Sequence, residues 1–399
     1  MITLEQATET LLNEISPIVR TRLVSLEKAI GRISVQDIYA PIDMPPFDRS
    51  PLDGYALRAA DIAGASRDNP IKLKVVAEIP AGAFWDGTLV PGSTVRIMTG
   101  SMIPEGADCV VKQEDTDDGE QEVSFYVSVK PQENIFFKGE DIKKGTKVLT
   151  CDSVIDYAHL AVLASVGQSR VLVRDKVRVG LLSTGDELTL PGEPLERGKI
   201  YNSNLFMLAG RMEHLGVETI SHYNTNDDVS EVCRIIEREI DGVDIFITTG
   251  GVSVGRRDIM HTVLSQLGAR VLFWKISLKP GTPVIAASYR KKLLLCLSGN
   301  PFAAITNFEL LGRPVLCKLS GDERLKLVRV KGVMENVFSK SSPQRRFVRA
   351  MYENGRVSIS GYSHSSGALL SLLGCNALID IPEGSSDLNV GDNVELVLL

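Results

Sequence analysis

Apolar residues follow three different patterns along this chain of 399 residues. From Pro41 to about Lys138 the apolar runs are short, alternate with polar residues and are separated by Pro and Gly, as in residues 71–76 and 123–129. From residue 176 onward, short apolar runs alternate with amphipathic stretches, a pattern typical of strands that alternate with helices. After Gly321 the short strand-like runs return. The pattern predicts a multidomain α/β protein.

The middle of the chain predicts a three-layer α/β domain with a mostly parallel sheet and helices on both faces. Predicted strands are residues 177–182, 217–222, 243–248, 270–276, 283–287 and 293–297. Predicted helices are residues 204–215, 229–240, 259–267 and 301–319.

The flanking segments differ from this domain. Residues 3–30 predict two amphipathic helices, the first capped by Thr3 with Gln6 at N3, and the second capped by Ser25. Another helix is predicted at residues 156–167. Strand-like runs at 327–330, 346–351, 357–360 and 393–399 predict a small C-terminal β-barrel.

Four domains follow from these patterns. The predicted boundaries are 1–44 with 139–174 for an N-terminal mixed helical domain, 45–138 for an inserted β-rich domain, 175–323 for the α/β domain and 324–399 for the C-terminal β domain.

Composition narrows the class of protein. The net charge of −6 argues against a general nucleic-acid binder. We find neither a signal-type apolar segment nor a run near the roughly 20 apolar residues of a membrane span, so we expect a cytoplasmic protein without a membrane partner. The six cysteines form no C-x-x-C pair and the histidines no H-x-x-x-H pair, which disfavours a zinc site.

A glycine-rich segment, residues 248–258, directly follows a buried-type apolar run. At the carboxyl end of a strand in an open sheet, loop N–H groups and the next helix N-terminus favour anions. The spacing matches neither the P-loop nor the dinucleotide motif, so the loop must cradle an anion differently. Its candidate residues are Gly250, Gly251, Ser253, Gly255 and Asp258.

Carboxylates follow two other predicted strands. Asp186 and Glu187 come after the first, and Asp227 after the second. Such residues suit Mg²⁺, which takes one or two carboxylates and completes its octahedron with phosphate and water. The alternative is that these residues only cap helices or turns, as Asp228 is positioned to do.

Cations and hydroxyls are concentrated in two further regions. Lys275 and Lys279 lie in a turn-rich segment, and Ser298, Gly299, Asn300 and Pro301 open a helix. Lysines there can hold a compact dianion as point charges. Arg345, Arg346 and Arg349, with Ser363, Ser365 and Ser366, could add basic and hydroxyl groups, although for any one arginine a solvated strand face is the simpler interpretation.

The sequence shows no Ser-His-Asp or Cys-His arrangement, so nucleophilic catalysis is not indicated. The sequence instead offers anion-binding loops, carboxylates that suit magnesium, and basic side chains. Such groups position substrates and stabilise charge in phosphoryl-type transfer.

Six collinear motifs resemble the molybdopterin molybdenumtransferase family (MoeA, and the E domain of gephyrin), and the resemblance covers essentially the whole chain. The motifs are residues 51–56 (PLDGYA), 96–100 (RIMTG), 183–188 (STGDEL), 249–255 (TGGVSVG), 279–281 (KPG) and 298–301 (SGNP).

The resemblance implies an elongated homodimer of four-domain subunits with an active cleft shared between subunits. It implies that adenylylated molybdopterin and molybdate are bound, that the pyrophosphate linkage is cleaved with Mg²⁺, and that molybdenum passes to the pterin dithiolene with release of AMP. It also implies, as partners, the adenylyltransferase of the same pathway and molybdoenzyme apoproteins.

The family's functional positions fall on this chain residue by residue. They are Asp53, Thr99, Glu187, Asp227, Asp258, Lys275, Lys279, Pro301, Arg349 and Ser366. The expected magnesium carboxylates are Asp186, Glu187, Asp227 and Asp258. The expected anion-binding side chains are Lys275, Lys279 and Arg349. The glycine-rich segment and residues 298–301 are expected to approach the pterin and its phosphates.

Four positions depart from the family pattern. Thr282 stands where a second lysine is usual, Ser298 where proline is more frequent, Ala303 where serine is common and His364 within an altered Gln-Gly-Ser-His segment. The departures are expected near the molybdate pocket, where they bear on molybdate versus tungstate preference.

Two alternatives remain at this point. A molybdopterin adenylyltransferase would need only the α/β module, so residues 1–170 argue against it. A scaffold that retains the cleft would be expected to carry a long linker and an appended interaction domain.

Overall fold

The computed structural model describes residues 1–252, 258–339, 343–385 and 387–399. The chain divides into two compact units. The larger contains Met1–Arg22 and Arg174–Leu399, and the smaller contains Leu23–Val173. The division into four domains stays a prediction, and each compact unit is described by itself.

A six-stranded sheet forms the centre of the larger unit, and all six predicted strands are present. Their order is Glu218–Thr225, Arg178–Thr184, Ile245–Thr249, Lys292–Leu297, Ile285–Tyr289 and Arg270–Trp274. The first four strands are parallel. The last two pair antiparallel. The predicted α/β sheet is confirmed.

A two-residue turn causes the change of direction. Arg290 and Lys291 join Ile285–Tyr289 to Lys292–Leu297 with φ angles of 48° and 61°, the left-handed values of a tight hairpin. Since Arg270–Trp274 pairs antiparallel with Ile285–Tyr289, it runs in the same direction as the four parallel strands. The connection 275–284 therefore lies at the carboxyl edge of the sheet, where ligands bind in this fold class.

Helices alternate with these strands close to the predicted boundaries. They are Ser203–His214, Val229–Glu239, Ile259–Gln266, Pro301–Asn307 and Arg313–Ser320. The predicted helix 301–319 is interrupted by a π-helical segment, Phe308–Gly312. Pro314 explains the interruption, because it has no N–H and its ring would crowd the carbonyl of Leu310 in a regular α-helix.

The first predicted N-terminal helix is confirmed as Leu4–Glu14, with Thr3 and Gln6 forming a reciprocal capping box. Leu11 is fully buried and belongs to the same core as Ile245 and Leu295 of the sheet. Burial of a leucine of this kind contributes about 2 kcal/mol, so this helix is an integral part of the larger unit.

A closed five-stranded barrel confirms the predicted C-terminal β domain. Its strands, in barrel order, are Arg329–Met334, Arg356–Ser358, Arg346–Glu353, Ala377–Ile381 and Asn393–Leu398. The strand Ala377–Ile381 is buried throughout; the sequence prediction missed it.

A mixed five-stranded sheet is the centre of the smaller unit, as the β-rich pattern predicted. In order, its strands are Cys109–Lys112, Gly54–Leu57, Ser93–Ile97, Ile71–Ile79 and Glu122–Phe125. Tyr55 and Phe125 are fully buried and meet edge to face, with ring centroids 5.8 Å apart.

The smaller unit also contains the predicted helix, observed as Tyr157–Ser165 with Asp156 as its cap. Ile38–Tyr39 pairs with Lys147–Leu149. The strands Thr21–Ser25 and Arg170–Arg174 contain the points where the chain passes between units.

The second predicted N-terminal helix is wrong. Residues Leu26–Lys28 form only a 3-10 turn, and the Ser25 side chain does not cap it. The Leu26 N–H donates instead to the Ser169 carbonyl, at 3.3 Å, and Gly31 turns the chain with φ 71°. Tertiary hydrogen bonding on one side and a left-handed glycine on the other leave no room for a longer helix.

Among the described residues, no helix combines the length and the apolar character needed to cross a bilayer.

A glycine holds the loop after Ile245–Thr249 close to its neighbour. Gly250 has φ 93°, and a Cβ there would lie 1.9 Å from the Thr184 carbonyl oxygen. We expect Gly250→Ala to lower the free energy of unfolding by about 2–4 kcal/mol through backbone strain and overpacking. Thermal or urea unfolding measures this loss.

Gly210→Ala is the matched control. Gly210 lies exposed in the helix Ser203–His214, with open space around an added Cβ. That substitution should stabilise the protein by about 0.5–1 kcal/mol. Equal stability changes in the two variants would show that the close approach at Gly250 is absent.

Candidate functional site

Two predicted carboxylates meet at the ends of adjacent parallel strands. The Asp227 N–H donates to Oδ1 of Asp186, at 3.1 Å. The Thr184 hydroxyl donates to Oδ1 of Asp227 at 2.7 Å and also contacts the Asn226 carbonyl at 3.0 Å. Glu187 is exposed next to them, and its Oε2 lies 2.8 Å from the position of a Cβ on Gly185. The sheet thus brings Asp186 and Asp227 together at one corner, and Glu187 follows Asp186 in the chain.

Three loops converge beside this corner. Gly250 lies against Thr184 and donates its N–H to the Leu297 carbonyl, at 3.2 Å. A Cβ on Gly299 would lie 3.6 Å from the Gly250 Cα. Because the Gly250 N–H is already bonded within the protein, this glycine contributes close backbone approach rather than a donor for an anion.

Asn204 ties two of these loops together, and the sequence analysis did not identify it as a site residue. Its Nδ2 donates to the Thr249 hydroxyl at 2.9 Å and to the Gly299 carbonyl at 2.8 Å. Thr249 in turn donates to the Ser298 carbonyl, at 3.0 Å. The available signal was a polar residue on the buried side of a predicted helix.

A row of side chains runs between Asp258 and Lys275. Asp258 caps the helix Ile259–Gln266 by accepting from the Met260 N–H, at 3.2 Å. Its Oδ2 lies 3.9 Å from Nε2 of His261. The His261 ring meets Trp274 edge to face at 4.5 Å, and the Lys275 Nζ lies 3.9 Å from the centroid of a Trp274 ring.

Lys279, Ser298 and Asn300 line a cavity of about 470 Å³ in the larger unit, a volume suited to a small ligand. Thr282, Ser298, Ala303 and His364, the four departures from the family pattern, all line it. Ser366, another predicted site residue, lines it as well.

Arg349 is a barrel residue and is 1% exposed. Its guanidinium donates to the carbonyls of Ala368 at 2.9 Å, Ser363 at 3.1 Å and Ser365 at 2.8 Å. The guanidinium carbon also lies 4.1 Å from the centroid of the Phe302 ring. Burial lowers the pKa of Arg349. This arginine therefore orders the loop 363–368.

Asp53 and Thr99 meet in the smaller unit, although 46 positions separate them. Oδ1 of Asp53 accepts the Thr99 N–H at 2.6 Å and the Thr99 hydroxyl at 2.7 Å. Both hydrogen bonds lower the pKa of Asp53, and the one from the backbone N–H has the larger effect. They do so because they favour the charged form of the carboxylate.

Comparison with known proteins identifies the family. Residues 2–167 match the model described as "MoeA N-terminal region (domain I and II)", 180–318 the "Probable molybdopterin binding domain", and 331–399 the "MoeA C-terminal region (domain IV)". A Staphylococcus aureus (strain COL) protein named molybdopterin molybdenumtransferase is 36% identical over 378 residues, 94% of this chain and 90% of that protein. The chain belongs to the molybdopterin molybdenumtransferase family, MoeA.

Other MoeA relatives agree. The Bacillus subtilis (strain 168) molybdopterin molybdenumtransferase is 37% identical over 386 residues, covering 95% of this chain and 90% of that protein. A crystal structure of a molybdopterin biosynthesis MoeA protein from Pyrococcus horikoshii superposes with a TM-score of 0.81 at 31% identity. The alignment covers 100% of this chain and 99% of that chain. The family and the fold predicted from sequence are confirmed.

The MoeA site residues fall into separate groups. The structure brings Asp186 together with Asp227, connects Asp258 to Lys275 only through His261 and Trp274, and joins Asp53 to Thr99. Gly251 follows the strand Ile245–Thr249, and Pro301 lies in the first turn of its helix. Ser253 and Gly255 lie outside the described residues. The roles of all these residues remain predictions.

The hydrogen bond between Thr99 and Asp53 gives a direct test of the pair. We expect Thr99→Val to raise the pKa of Asp53, because the hydroxyl donor to the carboxylate is lost while the N–H remains. Thr99→Ser keeps the hydroxyl and should leave the pKa near its present value. A carboxyl-carbon NMR titration measures both, and an unchanged pKa in Thr99→Val would contradict the pairing.

Proposed function

We propose that this chain transfers molybdenum from molybdate to adenylylated molybdopterin, with Mg²⁺ and with release of AMP. In this reaction the pyrophosphate linkage of the substrate is cleaved and molybdenum passes to the pterin dithiolene. The chain would thus act as a transferase in molybdenum cofactor biosynthesis.

The observation that carries the proposal is the corner of carboxylates beside the converging glycine loops, in a chain that matches MoeA relatives over 94–95% of its length. A close backbone approach at Gly250 and Gly299 leaves room for a large ligand. The corner supplies negative groups for a cation that accompanies the phosphates. These features suit a nucleotide-linked, phosphate-containing substrate.

The donor chemistry fits Mg²⁺. Asp186, Glu187 and Asp227 offer oxygen ligands alone, and Asp186 already contacts the loop of Asp227. Within the described ranges, no three Asp, Glu, His or Cys side chains are placed to hold a metal ion together. Mg²⁺ in proteins commonly uses one or two carboxylates and takes phosphate and water for the rest. Bound there, Mg²⁺ would neutralise charge on the pyrophosphate.

The chain's own cations and anions have distinct roles in the proposal. Lys275 and Lys279 lie in the connection at the carboxyl edge of the sheet and attract the anionic groups of the substrates. The lowered pKa of Asp53 favours its ionised form, so Asp53 acts as a charged group. Asp258 caps its helix and adds a negative charge near His261.

The two alternatives have less support. A molybdopterin adenylyltransferase would need only the central module, whereas family models also match residues 2–167 and 331–399. No observation favours a scaffold function over the enzymatic one.

The assembly and setting are part of the proposal. We propose a homodimer, with the adenylyltransferase of the same pathway and molybdoenzyme apoproteins as partners, as the resemblance implies. We also propose a cytoplasmic location, as expected from the sequence pattern. Light scattering on the purified protein should give twice the mass of one chain, and a monomer at micromolar concentration would reject the homodimer.

The activity is tested with the purified protein, adenylylated molybdopterin, Mg²⁺ and molybdate, by following AMP release. Release should require both molybdate and Mg²⁺, and a chelator should abolish it. Failure to release AMP in a molybdate-dependent way would reject the proposed function.

Two carboxylate variants test the residues. We expect Glu187→Ala and Asp258→Asn to keep the fold and to lose about 100-fold or more in molybdenum insertion, the usual cost of removing one electrostatic contributor. Asp258→Asn is preferred to alanine because asparagine still caps a helix, so lost charge is separated from lost capping.

Asp241→Asn is the control for these variants. Asp241 is 71% exposed and contacts Arg290 at 3.0 Å, and it has no part in the proposed site. Its activity should equal that of the unaltered chain, and full activity in Glu187→Ala would remove that residue from the mechanism.

A further inference from the structure

Three arginines of the C-terminal barrel region differ sharply in their surroundings. Arg345 is neutralised by carboxylates: its Nε and Nη2 donate to Asp380 at 2.7 Å and 2.6 Å, and it also contacts Glu5. Its charge is therefore used within the protein.

Arg349 is used in a different way. It points to the carbonyls of the loop 363–368 and to the Phe302 ring. Arg346 and Arg349 are three positions apart on one strand, so their side chains leave it on opposite faces. An anion in the cavity that reached Arg349 would compete with three backbone carbonyls.

Arg346 lines the 470 Å³ cavity. In the part of the chain that the structure describes, its buried Nε has no hydrogen-bond partner. Its guanidinium carbon lies 5.9 Å from the centroid of the Phe338 ring. Burial lowers the pKa of Arg346, and a bound anion would offset that desolvation.

The cavity lining is complementary to an anion. A backbone bridge sets Lys279 beside Arg346, with the Phe347 N–H donating to the Lys279 carbonyl at 2.8 Å, so two cations border one space. The described lining residues include no Asp or Glu. The hydroxyls of Ser298, Ser365 and Ser366 can donate to such an anion, whereas the Thr282 hydroxyl donates to the Leu278 carbonyl.

We propose that Arg346 is a further binding residue for the tetrahedral molybdate dianion in this cavity, which is where the family resemblance places the molybdate pocket. With Lys279 it would supply two positive charges for two negative ones. The inference rests on the proposed function for its reaction, but anion binding can be measured separately.

The test uses Arg346→Gln and Arg346→Lys in the full chain. Arg346→Gln should raise the KM for molybdate about 10- to 100-fold, the range for losing one charge-assisted hydrogen bond. The turnover number and the KM for adenylylated molybdopterin should change less than twofold. Arg346→Lys should lie between, because lysine keeps the charge but not the planar donor set.

Arg356→Gln is the matched control, since Arg356 is a barrel arginine that is 75% exposed and contacts Glu335 at 3.0 Å. It should leave every constant unchanged. A rise in the KM for adenylylated molybdopterin instead of molybdate would overturn the assignment to the oxyanion. An unchanged KM for molybdate in Arg346→Gln would overturn the role of Arg346 altogether.

A direct measurement separates this inference from the proposed reaction. Titration calorimetry with molybdate alone should show binding to the unaltered chain and to Arg356→Gln, with at least tenfold weaker binding to Arg346→Gln. If AMP release fails but this pattern holds, the proposed function falls and the anion site stands. Equal binding by all three proteins, or none by any, rejects the site.

Discussion

The candidate site depends on one close approach, between Gly250 and the Thr184 carbonyl oxygen. No other residue type fits there, because a Cβ would lie 1.9 Å from that oxygen and the backbone is left-handed. This contact joins the loop after Ile245–Thr249 to the carboxylate corner, and the Gly250 N–H bond to Leu297 joins it to the third loop. A shift of a few tenths of an ångström at this contact would therefore alter the spacing of all three loops.

Sheet topology then determines which positively charged side chains lie at the carboxyl edge of the sheet. The parallel strands place Asp186 and Asp227 side by side, since adjacent parallel strands end together. The hairpin at Arg290 and Lys291 reverses the chain and leaves the connection with Lys275 and Lys279 at that edge. The carboxylates and the lysines of the candidate site thus come from opposite halves of one sheet.

Periodicity predicted most of the fold, because long amphipathic helices and buried strands have strong and distinct repeats. All six central strands were found in this way. The hairpin was not foreseen, because Arg290 and Lys291 are not the Asn or Gly that usually mark such turns. The helix expected after Ser25 failed because tertiary hydrogen bonds, which no local pattern records, compete for Leu26.

Motifs predicted site residues where the chemistry is visible in a single side chain. Asp53 and Thr99 are an example, and the structure places them in contact. Asn204, His261 and Arg346 were missed or left as ordinary surface, because their importance comes from neighbours far away in sequence. A neutral amide on a helix has the same local signature whether it faces water or bridges two loops.

The bonding of Arg349 makes the loop 363–368 cooperative. One guanidinium holds three of its carbonyls, and the Phe302 N–H holds a fourth, that of Ser366. Releasing any part of the loop would strand a buried cation, so the carbonyls cannot come free one at a time. The wall of the cavity should open, when it opens, as a single rare event rather than by gradual fraying, which limits how quickly a ligand enclosed there can exchange with solvent.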